Sequence, residues 1–120
     1  MKSQSFFLRF NYALQGLKAA WAGELSFRVE IILGLGAFGL LCYLRPAPAW
    51  WALVAIVSGG VLAAELINTA LERALDKLHP VRDPLIGVAK DCAAAAVLIM
   101  SLASLAVLCA LLYDSYAARI

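Results

Sequence analysis

The chain has 120 residues, 64% of them hydrophobic and 15% charged, with a mean hydropathy of +0.86. That length holds one domain, and the apolar share lies above that of ordinary soluble proteins, which points to the membrane class. A net charge of +2 is too small to argue for nucleic acid or another polyanion as partner.

The N-terminal stretch FFLRFNYALQGLKAAW, residues 6–21, is apolar but interrupted by Arg9, Asn11, Gln15 and Lys18. The pattern predicts an amphipathic helix over residues 5–22 that lies on the membrane surface and does not cross it. The same interruptions, with no small-residue cleavage site after them, argue against a cleavable signal. Apolar runs at 29–44, 49–71 and 92–113 predict three transmembrane helices, and the second and third reach the ~20 residues that a hydrocarbon core requires. The first run is shorter and contains Glu30, so its helix is expected to begin a turn earlier, at the interface. It ends at RPAP, 45–48, whose prolines break helix continuity. His79 precedes Pro80 in a polar connection, where a surface turn is expected. The predicted fold is an all-α membrane protein, with three transmembrane helices and an N-terminal surface helix in a single domain over residues 1–120.

Orientation follows from the basic residues. Lys2, Arg9, Lys18 and Arg28 precede the first span, Arg73, Lys77, Arg82 and Lys90 lie between the second and third, and only Arg45 and Arg119 lie on the other side. This positive-inside asymmetry places the N-terminus and the second connection in the cytoplasm and the C-terminus outside. Trp50, Trp51, Tyr113 and Tyr116 then mark the outer interface. Cys42, Cys92 and Cys109 lack the spacing of a zinc site and are read as free, packed thiols. GLGAFG, 34–39, matches G-x-G-x-x-G, but it lies inside an apolar span with no preceding strand. Small residues that let helices approach closely explain it better.

The stretch AAELINTALERALDKL, 63–78, carries Glu65, Asn68, Glu72 and Asp76 at the end of the second span. At 100° per residue these four fall within an arc of about 80° on one helix face. Asp76 alone reads as a helix end emerging into water, but Glu65 lies about two turns inside the span, where a carboxylate costs at least ~2.5 kcal/mol. A functional stripe explains it, and an interhelical hydrogen-bond network that holds an oligomer together is the alternative. Glu24, Arg28 and Glu30 at the junction into span one, and Lys90 and Asp91 directly before span three, share that membrane depth. Carboxylates with a lysine beside them suit Mg2+ and a phosphate-bearing substrate. The combination points to phosphoryl transfer to a lipid hydroxyl, with the deeper Glu65 suited to the base and the shallower Glu72 to the metal. There is no G-x-x-x-x-G-K-[ST] loop, so the P-loop solution is excluded.

Four blocks in order, GLKAAW (16–21), ELSFRVE (24–30), AELINTALE (64–72) and AKDCAAAAVLI (89–99), resemble the small bacterial integral-membrane lipid kinases, the diacylglycerol kinase and undecaprenol kinase family. The resemblance implies a homotrimer in the bacterial inner membrane, with ATP as co-substrate, Mg2+ as metal and active sites on the cytoplasmic side shared between subunits. By position it implies Glu65 as general base, Asn68 as its polar support, and Glu24 and Glu72 as magnesium ligands. Lys90 and Asp91 match the nucleotide-contacting pair, and Tyr12 a residue near the adenosine. Asp76 matches an acidic position without an assigned role. Arg9 is displaced from the corresponding basic residue of diacylglycerol-specific members, so no contact is assigned to it. The acceptor is diacylglycerol or undecaprenol: ELINTALE (65–72) is closer to the undecaprenol kinases, GLKAAW and SFR to the diacylglycerol branch, toward which the resemblance leans. From another class, a small proton-coupled transporter would also use an intramembrane glutamate, but the acids gather toward one face beside Lys90, which favours an anionic ligand.

Overall fold

The computed structural model describes residues 5–119, so Lys2 lies outside the described residues. Four helices follow one another: α1 (Phe6–Gly23), α2 (Leu25–Leu44), α3 (Pro48–Leu78) and α4 (Pro84–Arg119). There is no strand among the described residues. α2, α3 and α4 are each long and apolar enough to cross a membrane, and the protein is a membrane protein.

Local chemistry sets the helix ends. Ser5 caps α1 by accepting from the Leu8 amide at 3.4 Å. Glu24 is the corner between α1 and α2: its backbone is extended (φ −124°, ψ 110°), and its N–H closes α1 onto Ala20. α2 stops at Arg45, which adopts the left-handed conformation (φ 49°, ψ 55°) and bonds back to Leu41. Pro48 then occupies the first turn of α3, where its missing N–H costs nothing. At the start of α4, Asp83 Oδ1 accepts from the amides of Leu85 (2.8 Å) and Ile86 (3.3 Å), with Pro84 as the first helical residue.

α3 and α4 extend beyond the apolar runs. Their 31 and 36 residues correspond to about 46 and 54 Å, against a hydrocarbon core of about 30 Å. The excess of α3 lies at its polar end, past residue 71, and α4 begins eight residues before the run at 92. Lys90 and Asp91 therefore stand nearly two turns inside α4.

α3 packs chiefly on α4, with α2 against its other side. The Met100 methyl occupies the space that a Cβ on Gly60 would take, and Ser104 Oγ lies 3.0 Å from Met100 O and 3.4 Å from Val57 O. At the end remote from the acidic stripe, buried Leu41, Val54 and Leu111 form a core covered by Leu40, Leu44, Trp50, Trp51 and Val107. Trp50 Nε1 donates to Asp114 Oδ2 at 3.0 Å, and the Arg119 guanidinium lies 5.8 Å from the Tyr43 ring centre.

Two expectations change. Cys42, Cys92 and Cys109 are free but exposed on the chain surface, because three helices side by side bury little and leave most side chains facing outward. A Cβ on Gly34, Gly36 or Gly39 would meet nothing within 4 Å, so these glycines do not draw helices of this chain together. Gly34 and Gly36 instead line a cleft of about 720 Å³ between α2 and α4, floored by α3.

Candidate active site

Glu65 is only 5% exposed. A buried carboxylate needs a donor, and Ser26 Oγ supplies one to Oε2 at 3.2 Å. Ser26 lies in the first turn of α2, beside Phe27, which is 1% exposed and anchors that turn. Thr69, one turn beyond Glu65 on α3, is also buried.

Toward the polar end the stripe changes partners turn by turn. Asn68 Nδ2 donates to Glu72 Oε1 at 3.4 Å, an i,i+4 pair on α3. Arg73 reaches Glu24 at the α1–α2 corner, 3.9 Å away. Asp76 forms an ion pair with Lys90 of α4. From Glu65 to Asp76 the stripe runs roughly 16 Å along the axis, with α2 bordering it at the deep end and α4 at the shallow end.

Polar atoms there also lack partners. Asn68 Oδ1 and Arg28 Nε are buried and make no hydrogen bond among the described residues, a state that ordinarily costs about 1–3 kcal/mol for each group. Asn68 Oδ1 is thus an unpartnered hard oxygen on the residue whose amide nitrogen bonds the Glu72 carboxylate. No three His, Cys, Asp or Glu side chains converge on one point among the described residues. Magnesium does not require such a cage, because it binds through one or two carboxylates and completes its shell with phosphate and water oxygens. The donor set therefore fits that ion.

The structure thus brings Glu65, Asn68, Glu72, Glu24 and Lys90 to one end of the bundle. It joins neither Tyr12 nor Asp91 to them: Tyr12 is 40% exposed on α1, and Asp91 is exposed and makes no ion pair among the described residues. Sequence reasoning missed Ser26, Thr69 and the pairing of Arg73 with Glu24. Thr69 lies about 40° from Glu65 on the helical wheel and could have been read into the stripe. Ser26 could not, because its contact depends on how α2 packs against α3.

The description "Prokaryotic diacylglycerol kinase" belongs to the family model that matches residues 11–112. The chain is 32% identical over 106 residues to the diacylglycerol kinase of Escherichia coli strain K12, covering 88% of this chain and 87% of that protein. Against the diacylglycerol kinase of Helicobacter pylori strain J99 the identity is 39% over 88 residues, 73% of this chain and 69% of the relative. For that of Haemophilus influenzae it is 36% over 89 residues, with 74% and 75% covered. The matched region takes in every residue of the stripe and its partners on α2 and α4, and the chain belongs to the prokaryotic diacylglycerol kinase family.

Proposed function

We propose that this chain transfers the γ-phosphoryl group of ATP to the free hydroxyl of diacylglycerol, forming phosphatidic acid and ADP. The observation that carries the reading is the burial of Glu65 at membrane depth, on a polar face that leads outward to Lys90 and Glu24. Glu65 accepts the hydroxyl proton as the lipid oxygen bonds to the γ-phosphorus and the bond to the β–γ bridging oxygen breaks. Lys90 and Asp91 orient the nucleotide, with Tyr12 near its base. Glu24 and Glu72 would hold magnesium, which would neutralise charge on the phosphate oxygens when bound. A lipid hydroxyl at the headgroup level and a nucleotide arriving from water meet only at such an interface, which gives Glu65 its depth.

The distribution of basic residues supports an inner-membrane protein with this end in the cytoplasm. Phe6, Phe7 and Phe10 project from α1 at 74%, 82% and 54% exposure, which supports α1 as a helix immersed in the interface. A homotrimer rests on the family resemblance; the apolar cleft between α2 and α4 and the exposed Ile32, Leu33 and Leu35 on α2 suit a neighbouring subunit as they suit lipid.

A radiolabelled ATP assay on the purified protein in detergent, offered diacylglycerol and undecaprenol side by side with magnesium, tests the reading. Labelled phosphatidic acid is expected as the main product. Label in undecaprenyl phosphate would move the acceptor to the polyprenol branch, and no labelled lipid would refute the kinase reading.

A further inference from the structure

Glu65 has one hydrogen bond among the described residues, from Ser26 Oγ to Oε2. No other side chain hydrogen-bonds to Glu65 among the described residues, although the buried Thr69 hydroxyl lies one turn along α3. α4 faces this stretch of α3 between the Gly60–Met100 contact and the Asp76–Lys90 ion pair, and from Ala93 to Ile99 it carries no polar side chain. Glu30 on α2 and Glu72 on α3 are acids, which as carboxylates offer no donor. Asn68 has already turned its amide nitrogen toward Glu72.

Ser26 itself is an exposed residue, so its side chain does not fill a gap in the core. Its backbone is fixed all the same, because the adjoining Phe27 is buried. A carboxylate rotates over a broad torsional range about its last bond, and one donor on Oε2 fixes the plane and leaves Oε1 unpartnered. We infer that Ser26 is a positioning residue for Glu65, holding Oε2 so that Oε1 faces the acceptor hydroxyl. The inference rests on the proposed role of Glu65 as base. The lipid proton then passes to Oε1 while its oxygen joins the γ-phosphorus and ADP leaves, and the Ser26 proton stays in its hydrogen bond throughout.

The test uses the full chain in detergent, comparing Ser26→Ala, Ser26→Thr and Glu65→Gln. Loss of a charge-assisted bond that aligns the base should lower kcat of Ser26→Ala roughly tenfold, with KM for ATP and for diacylglycerol within about twofold of wild type. Threonine keeps the hydroxyl, and the exposed position accommodates its methyl group, so Ser26→Thr should recover at least about half of the wild-type kcat. Unchanged kcat in Ser26→Ala, a loss confined to KM, a misfolded Ser26→Ala, or a loss that threonine does not repair would each overturn the inference. Glu65→Gln separates the two claims. If it turns over normally, the base assignment fails; if it is inactive while Ser26→Ala is fully active, only the role of Ser26 falls.

Discussion

The two ends of the helix bundle are built differently. At the Trp50 end, Leu41, Val54 and Leu111 are buried together and capped by tryptophans, the Trp50 indole has an acceptor in Asp114, and Arg119 lies over Tyr43. At the Glu65 end Ala20, Phe27 and Val61 are buried singly, the polar contacts are single hydrogen bonds and ion pairs, two buried polar atoms have no partner among the described residues, and the Glu65 carboxylate is buried. The first end satisfies its groups internally and holds the helices together. The second leaves charge and hydrogen-bonding capacity unspent, as a site that binds something else must. The comparison predicts that substitutions at one end change turnover without changing stability, and that substitutions at the other end do the reverse.

The largest effect is expected from Glu65→Gln. It removes the base and should reduce lipid phosphorylation by about 10² to 10⁴. The amide can still accept from Ser26, so thermal unfolding in detergent should be unchanged. Normal turnover would remove Glu65 from the chemistry, and a collapse in stability would assign it to the scaffold. Next is Glu72→Gln, which should raise the magnesium concentration for half-maximal rate by at least about tenfold while KM for the lipid stays put. An unchanged magnesium titration would break the assignment of Glu72.

At the other end, Leu111→Ala should cost stability and leave kcat unchanged. A comparable truncation in a soluble core costs about 2–5 kcal/mol, but in a bilayer the unfolded helices still face hydrocarbon, so the transfer component disappears and the packing loss remains. About 1–2 kcal/mol is expected from reversible unfolding in mixed micelles. Asp114→Asn should cost less, about 0.5–1 kcal/mol, since the hydrogen bond to Trp50 is exposed and a neutral amide can still accept it. A fall in kcat in either variant would show that the two ends are coupled.

The helices and the acidic stripe were legible because each is a local pattern. Hydropathy over about twenty residues marks a span, and the 3.6-residue period aligns Glu65, Asn68, Glu72 and Asp76. Helix ends were less legible for a physical reason: hydropathy reports where hydrocarbon stops, and α3 and α4 continue as hydrogen-bonded helices into water. The Asp83–Pro84 pair is a readable start signal for α4, eight residues ahead of the apolar run that begins at 92. The partner of Glu65 was beyond reach, since Ser26 is 39 residues away and meets it only in one packing register of α2 on α3. Whether the small residues of GLGAFG meet another helix was not legible either, and within this chain the structure puts open cleft beside Gly34 and Gly36.

Arg45 provides the smallest effect and the finest test of the contrast. It ends α2 with positive φ, a conformation that costs a side-chain-bearing residue about 1–2 kcal/mol and glycine almost nothing. Part of that gain is returned through the greater freedom of glycine in the unfolded chain. Arg45→Gly should therefore raise stability by up to about 1 kcal/mol. Arg45 lies at the Trp50 end, with the length of α2 between it and Ser26, so kcat and both KM values should match wild type. Higher stability with unaltered kinetics would show that the scaffold end can be improved without reaching the chemistry. Slower turnover in the stabilised variant would mean that the acidic end depends on α2 remaining loosely fixed at its far terminus.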